Sequence, residues 1–208
     1  MDIELIRKTL INDAPRLLGQ HILLVIIAIL ISCAIAIPLG ILFTRGKETH
    51  FSRAVLKLFG IFQSIPSFAF IAIAMPLLGI GFKPAIIALV VQSILPIIRG
   101  TISGIIELDK NIIEAAKGMG MDKKKILAEV ELPLALPSII NGVKTSTVYT
   151  VSAATLAGFI GAGGLGILIS RGLSAFCNEY ILVGAVLGAV LAILLDYILG
   201  KLERRLSI

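Results

Sequence analysis

The sequence predicts an all-α protein embedded in a membrane, with about five crossings, and three observations carry that prediction. Of its 208 residues 57% are hydrophobic and only 15% charged, whereas soluble domains carry roughly 45–50% apolar and about 25% charged residues. Its mean hydropathy is +1.02, so the chain lacks the polar surface needed to cover a water-facing exterior. Its apolar residues also fall in runs of about 20, the length a helix needs to cross a hydrocarbon core.

The elements follow in order. Residues 1–20 form an N-terminal segment that is not a secretory signal, because Asp2 and Glu4 precede any base and no small-residue cleavage site follows. Ile3, Ile6, Leu10, Leu17 and Leu18 give it one apolar face, so an interfacial amphipathic helix broken at Pro15 is expected, with a frayed terminus as the alternative. A single membrane domain covers residues 21–200. Its crossings are expected at 21–43, 56–78, 84–106, 139–160 and 180–200. Residues 107–131 are polar, 161–166 are a glycine-rich break, and 167–176 are a short apolar piece that suits a re-entrant segment. Residues 201–208 form a basic tail.

Bases set the orientation. Arg45, Lys47, Arg53 and Lys57 follow the first crossing, Lys110, Lys117, Lys123, Lys124 and Lys125 lie in the polar stretch, and Lys201, Arg204 and Arg205 end the chain. The opposite loops offer only Lys83 and Arg171. Both basic loops and the C-terminus are expected in the cytoplasm and the N-terminus outside. The net charge of +6 is explained by this asymmetry, so it does not mark a nucleic-acid surface. Cys33 and Cys177 share neither a loop nor a metal-ligand spacing, which argues against a disulfide framework. No nucleophile–base or metal-ligand set stands out, which disfavours an enzyme. Apart from Asp196 the crossings hold no Asp or Glu, which weakens an ion-coupled secondary transporter, a class that binds its ions on buried ionisable groups. Arg99 and Asp196, near one face of the membrane, read as anchors or local pairs.

The polar stretch is the most informative segment. Asn111 followed by Glu114 fits a capping-box variant, Ala115 and Ala116 favour a helix, and Gly118 and Gly120 stop it. Asp122 caps a second helix expected over residues 123–132 and ended by Pro133. Met119 and Met121 then sit on the turn, where flexible thioethers suit a contact surface that adapts to a partner. A connector between crossings is the alternative.

The spacing Glu114-Ala115-Ala116, three residues, Gly120, nine residues, Val130, one residue, Leu132-Pro133 resembles the coupling loop of ABC importer permeases, with Val130 in place of the usual Ile. Gln63-Ser64-Ile65-Pro66-Ser67, residues 132–152 and Ile160-Gly161-Ala162-Gly163-Gly164-Leu165-Gly166 are similar to glycine betaine/carnitine/choline permeases, relatives of the methionine-importer type. The resemblance implies a type I importer permease fold in the bacterial cytoplasmic membrane. It also implies a coupling loop over 107–135, carried by Glu114, Ala115, Ala116, Gly118, Met119, Gly120, Met121, Leu132 and Pro133, that docks on cytoplasmic ATPase subunits. The partners implied are those ATPases, a second permease subunit (a second copy or a paralogue) and a separate extracytoplasmic substrate-binding protein. No cofactor is expected on this chain, since ATP and magnesium belong to the ATPase.

Small residues recur every fourth position at Ala153, Ala157 and Gly161, at Ala154, Gly158 and Ala162, and at Gly184, Gly188 and Ala192. Such faces allow close helix packing within one subunit or across a dimer. The fourth crossing is also rich in hydroxyls. Gln63, Ser64, Ser67, Thr147, Thr150 and Ser152 are candidates for a polar translocation path, with hydrogen bonding between helices as the rival role. Gly161, Gly163, Gly164 and Gly166 are gate or hinge candidates. A quaternary ammonium is usually held by an aromatic cage, and a chain with no Trp and 3 Tyr is poorly equipped for one. Solute recognition is therefore expected in the binding protein, and the alternative cargo is another small solute such as an amino acid.

Overall fold

The computed structural model describes residues 2–45 and 50–206; Lys47, counted above among the orienting bases, lies outside them. The described residues form helices α1 (Ile3–Asn12), α2 (Ala14–Arg45), α3 (His50–Ser64), α4 (Ser67–Leu78), α5 (Phe82–Ile106), α6 (Lys110–Gly118), α7 (Lys123–Lys125), α8 (Leu132–Ala157), α9 (Gly166–Ser174) and α10 (Asn178–Leu206). A π-helical turn, Ile126–Glu131, joins α7 to α8, and a 3-10 turn, Gly158–Ile160, ends α8, so Lys123–Ile160 is one continuous rod.

Among the described residues four helices are long and apolar enough to cross a bilayer: α2, α5, the Lys123–Ile160 rod and α10. The expected second crossing is divided. Ile65 precedes Pro66, whose ring disfavours the helical region for its neighbour, and the chain breaks there into α3 and the 12-residue α4. The pair still traverses the molecule. It starts at His50, five residues beyond the end of α2, and just past its far end Gly81 N–H donates to the Ile160 carbonyl at 2.8 Å. The first crossing begins earlier than expected. The break falls at Asp13, and Pro15 occupies the first turn of α2, where its missing N–H costs nothing. Asp2 caps α1 by accepting from Glu4 N–H and Leu5 N–H.

Helix α5 is the inner element. Of its most apolar stretch 61% is buried, against 28%, 28% and 22% for α2, the long rod and α10, and it packs on α2, α3, α4 and α8. The outer helices turn large apolar side chains outward, Leu23, Ile26 and Leu30 on α2 and Val186, Val190 and Ile193 on α10. That inside-out stripe is what a lipid-facing helix presents. The α5–α8 crossing is drawn tight by glycine. A side chain at Gly100 would place its Cβ 2.7 Å from the Ser138 carbonyl and 2.9 Å from Gly142 Cα. Two backbones touch there without a hydrophobic drive between them. The small faces on α8 and α10 also pack within the subunit. A Cβ at Gly158 would meet the Gly166 backbone at 2.4 Å, and one at Gly184 would meet Ile169 Cγ1 at 2.9 Å.

The bundle has two distinct ends. At one, the Asp2 N–H donates to Glu179 Oε1 at 2.8 Å, and α1, α9 and the glycine-rich turn gather. At the other, Arg45 meets Glu131 and Lys144 Nζ donates to Glu203 Oε2 at 2.7 Å.

Candidate functional site: the coupling hairpin and the polar cavity

The hairpin forms at the Arg45 end, with three corrections to its expected chemistry. The cap of α6 is Asp109, which accepts from Asn111 N–H at 2.9 Å. Asn111 therefore lies inside the first turn, and Glu114 stands exposed in mid-helix with no cap to close. An Asp two residues earlier serves as well as Asn and lets the helix gain a turn's start. The end of α6 follows expectation in Gly120 but not in Gly118, which is the last helical residue. Gly120 has φ +80°. Its N–H donates to the Lys117 carbonyl at 2.9 Å, and Met121 N–H donates to the Ala116 carbonyl at 3.2 Å. This is a Schellman closure, whose left-handed residue is normally glycine.

Asp122 caps the next helix as expected, accepting from Lys125 N–H at 2.8 Å. Pro133 does not end that helix. It has no N–H to give, and its ring would strike the carbonyl four residues back. The preceding six residues widen into the π turn, which absorbs the misfit and lets the rod run on. Leu132 is half-buried and Pro133 exposed at that junction.

The hairpin presents one face outward. Glu114, Ala115, Gly118 and Gly120 are exposed, Met119 is 75% exposed, and Met121 is half-buried, while Ala116 packs inward at 2%. It is fastened from below by a contact the sequence did not reveal. Glu131, at the end of the π turn, is buried and receives a forked ion pair from Arg45, with Arg45 Nη1 donating to Oε1 at 3.0 Å and Nη2 to Oε2. Planar two-point pairing holds orientation as well as distance, so α2 and the hairpin base are locked together. Between them lies a cavity of about 440 Å³ lined by Thr44, Arg45, Lys117, Lys123 and Glu131. The second acid of the Glu129-Val130-Glu131 run, next to Leu132-Pro133, was the available signal.

A second cavity, about 470 Å³, opens between α3, α5 and α8. It is lined by Gln63, Pro96, Arg99, Ser103, Glu107, Ser138, Asn141 and Thr145. Of the residues considered for a path, Gln63 lies on it. Ser64 Oγ turns back to the Gly60 carbonyl at 2.9 Å. Ser67 Oγ meets Tyr149 Oη at 2.8 Å. Thr147 and Thr150 are buried on the packed side of α8. Thr147 bonds back to the Val143 carbonyl, and Thr150 pairs with Ser93 on α5 at 2.7 Å, so both hydroxyls serve helix packing. Ser152 is on another face, in a groove of about 300 Å³ beside Gly188 and Ala192. Arg99 faces the cavity, while Asp196 is exposed on α10.

The glycine-rich turn is held by side chains from α2. Gly161, Gly163 and Gly164 have positive φ, and a Cβ at Gly166 would lie 1.7 Å from the Thr155 carbonyl oxygen, which only glycine avoids. Gln20 Oε1 accepts from Gly164 N–H at 3.2 Å, and His21 Nδ1 accepts from Leu165 N–H at 3.3 Å. Nε2 of His21 therefore carries the hydrogen and donates to the Val151 carbonyl at 3.1 Å. His21, to which the sequence assigned no role, is a fully buried strut joining α2, α8 and the turn.

The chain is similar to known proteins. The chain is 44% identical over 189 residues to the glycine betaine/carnitine/choline transport system permease protein OpuCB of Bacillus subtilis (strain 168), covering 91% of this chain and 86% of that one. It is 45% identical over 188 residues to the choline transport system permease protein OpuBB of the same organism, covering 90% and 86%. Its fold matches a chain of the MetNI methionine ABC transporter in an inward-facing conformation, with TM-score 0.82, 23% identity and 100% of both chains covered. Residues 36–208 match the family described as binding-protein-dependent transport system inner membrane component, and the chain, a multi-pass membrane protein, belongs to that family.

Proposed function

We propose that the chain is the permease subunit of an ATP-binding-cassette importer for quaternary-ammonium osmoprotectants such as glycine betaine, carnitine or choline. The observation that carries this reading is the exposed hairpin from α6 to α7, closed at Gly120, in a chain of this family. It supplies a rigid docking knob at one end of a membrane bundle. The relatives named above support the solute class.

The chain itself hydrolyses nothing. Its sequence has no Gly-x-x-x-x-Gly-Lys-Ser/Thr loop to cradle phosphates, so ATP and magnesium bind partner ATPases on the hairpin side. Lys110, Lys117, Lys123, Lys124 and Lys125 lie toward that end with Arg45, Lys201, Arg204 and Arg205, a bias of bases that supports a cytoplasmic hairpin end with α1 and α9 outside. A binding protein delivers solute to the outer end, and a second permease subunit completes the pathway in a bacterial cytoplasmic membrane.

The test is reconstitution of the chain with its ATPase, binding protein and any paralogous permease in ATP-loaded vesicles. Labelled glycine betaine, carnitine or choline should accumulate only with ATP and binding protein present. Accumulation by this chain alone along an ion gradient contradicts the proposal.

A further inference from the structure

Gln92 is 2% exposed, near the middle of the inner helix α5, and its Nε2 finds no hydrogen-bond partner. An unpaired buried amide is costly and rare in native proteins. Its Oε1 accepts from Tyr149 Oη at 3.4 Å, and Tyr149 Oη meets Ser67 Oγ at 2.8 Å. Ser67 is the first residue of α4, a helix whose cap, Pro66, has no side chain to accept from the first turn. The divided α3–α4 passage thus joins a helix amino end that has no side-chain cap, with its partial positive charge, through Ser67 and Tyr149 to the Gln92 amide.

This cluster lies beyond the lining of the 470 Å³ cavity. Gln63, Pro96 and Thr145 line that cavity, and Ser67, Gln92 and Tyr149 each lie four residues further from its Arg99 and Glu107 side, about one helical turn. Pro96 also has no N–H to offer the Gln92 carbonyl, which loosens α5 at this point.

We propose that the amino end of α4, with Ser67, Tyr149 and the unpaired amide of Gln92, is a transient site for the carboxylate of a small zwitterionic solute just beyond the lining of this cavity. Broken helices present their amino ends to anionic groups in the same way in other transporters. The donors are neutral, so the carboxylate is guided without being trapped by a full cation. This inference rests on the solute-import reading above.

The test uses the complete transporter in vesicles and compares glycine betaine, which has a carboxylate, with choline, which has none. Gln92→Glu sets a like charge where the carboxylate would bind, and Tyr149→Phe deletes one hydroxyl while keeping the ring. The ratio of betaine to choline uptake should fall about ten-fold for Gln92→Glu, the worth of one hydrogen bond to a charged group, and in the same direction for Tyr149→Phe. Should Gln92→Glu fail to assemble, Tyr149→Phe decides alone. An unchanged ratio overturns this site while leaving the import reading intact. A wild-type transporter that moves neither solute overturns both.

Discussion

Two glycines two residues apart in the hairpin do different work. Gly120 has φ +80° and closes the Schellman turn, whereas Gly118 is helical and a Cβ there would meet nothing within 4 Å. Gly120→Ala should cost about 1 kcal/mol from the left-handed backbone alone, and Gly118→Ala should add about 0.5–1 kcal/mol to α6. Thermal unfolding of the purified chain checks the opposite signs. The sequence identified the turn because a glycine after a short Ala-rich helix is a local signal. It misplaced the cap, because Asp109 and Asn111 are both good caps and only the backbone decides between them. Pro133 misled for a related reason: it forbids an ordinary helical bond, and the rod answered with a π turn.

At the scale of elements, four of the five expected crossings were legible because length and hydropathy are properties of one segment, and the second is broken at Pro66. What joins the segments was not. Arg45 and Glu131 stand 86 residues apart, and the Gln20 and His21 contacts with the glycine-rich turn span 144. No period or spacing connects such pairs. The hydroxyls of α8 illustrate the same point: composition marks the helix as polar, but only packing separates Thr150, buried against Ser93, from Thr145 on the cavity. The Arg45–Glu131 fork should matter to stability. Arg45→Ala leaves a buried carboxylate without its partner and should cost about 2 kcal/mol, while the reversed pair Arg45→Glu with Glu131→Arg should recover part of it. Comparing melting of the two variants in detergent measures this, and equal destabilisation would mean the charges do not pair.

Across the whole molecule the polarity of the bundle gives the account its direction. The hairpin, the Arg45–Glu131 lock and the bases stand at one end, and the turn braced by His21 stands at the other, with the polar cavity between α3, α5 and α8 in between. The hairpin is continuous through the π turn with the rod that runs to Ile160, and the Arg45–Glu131 pair ties its base to α2. The central claim is that Met119 and its neighbours touch an ATPase. With Cys33 and Cys177 replaced, Met119→Cys carrying a photoactivatable benzophenone should form an adduct with the co-purified ATPase on illumination, and Lys83→Cys at the opposite end should form none. An intact, transport-competent complex that gives no ATPase adduct from position 119, or gives one from position 83, would contradict it.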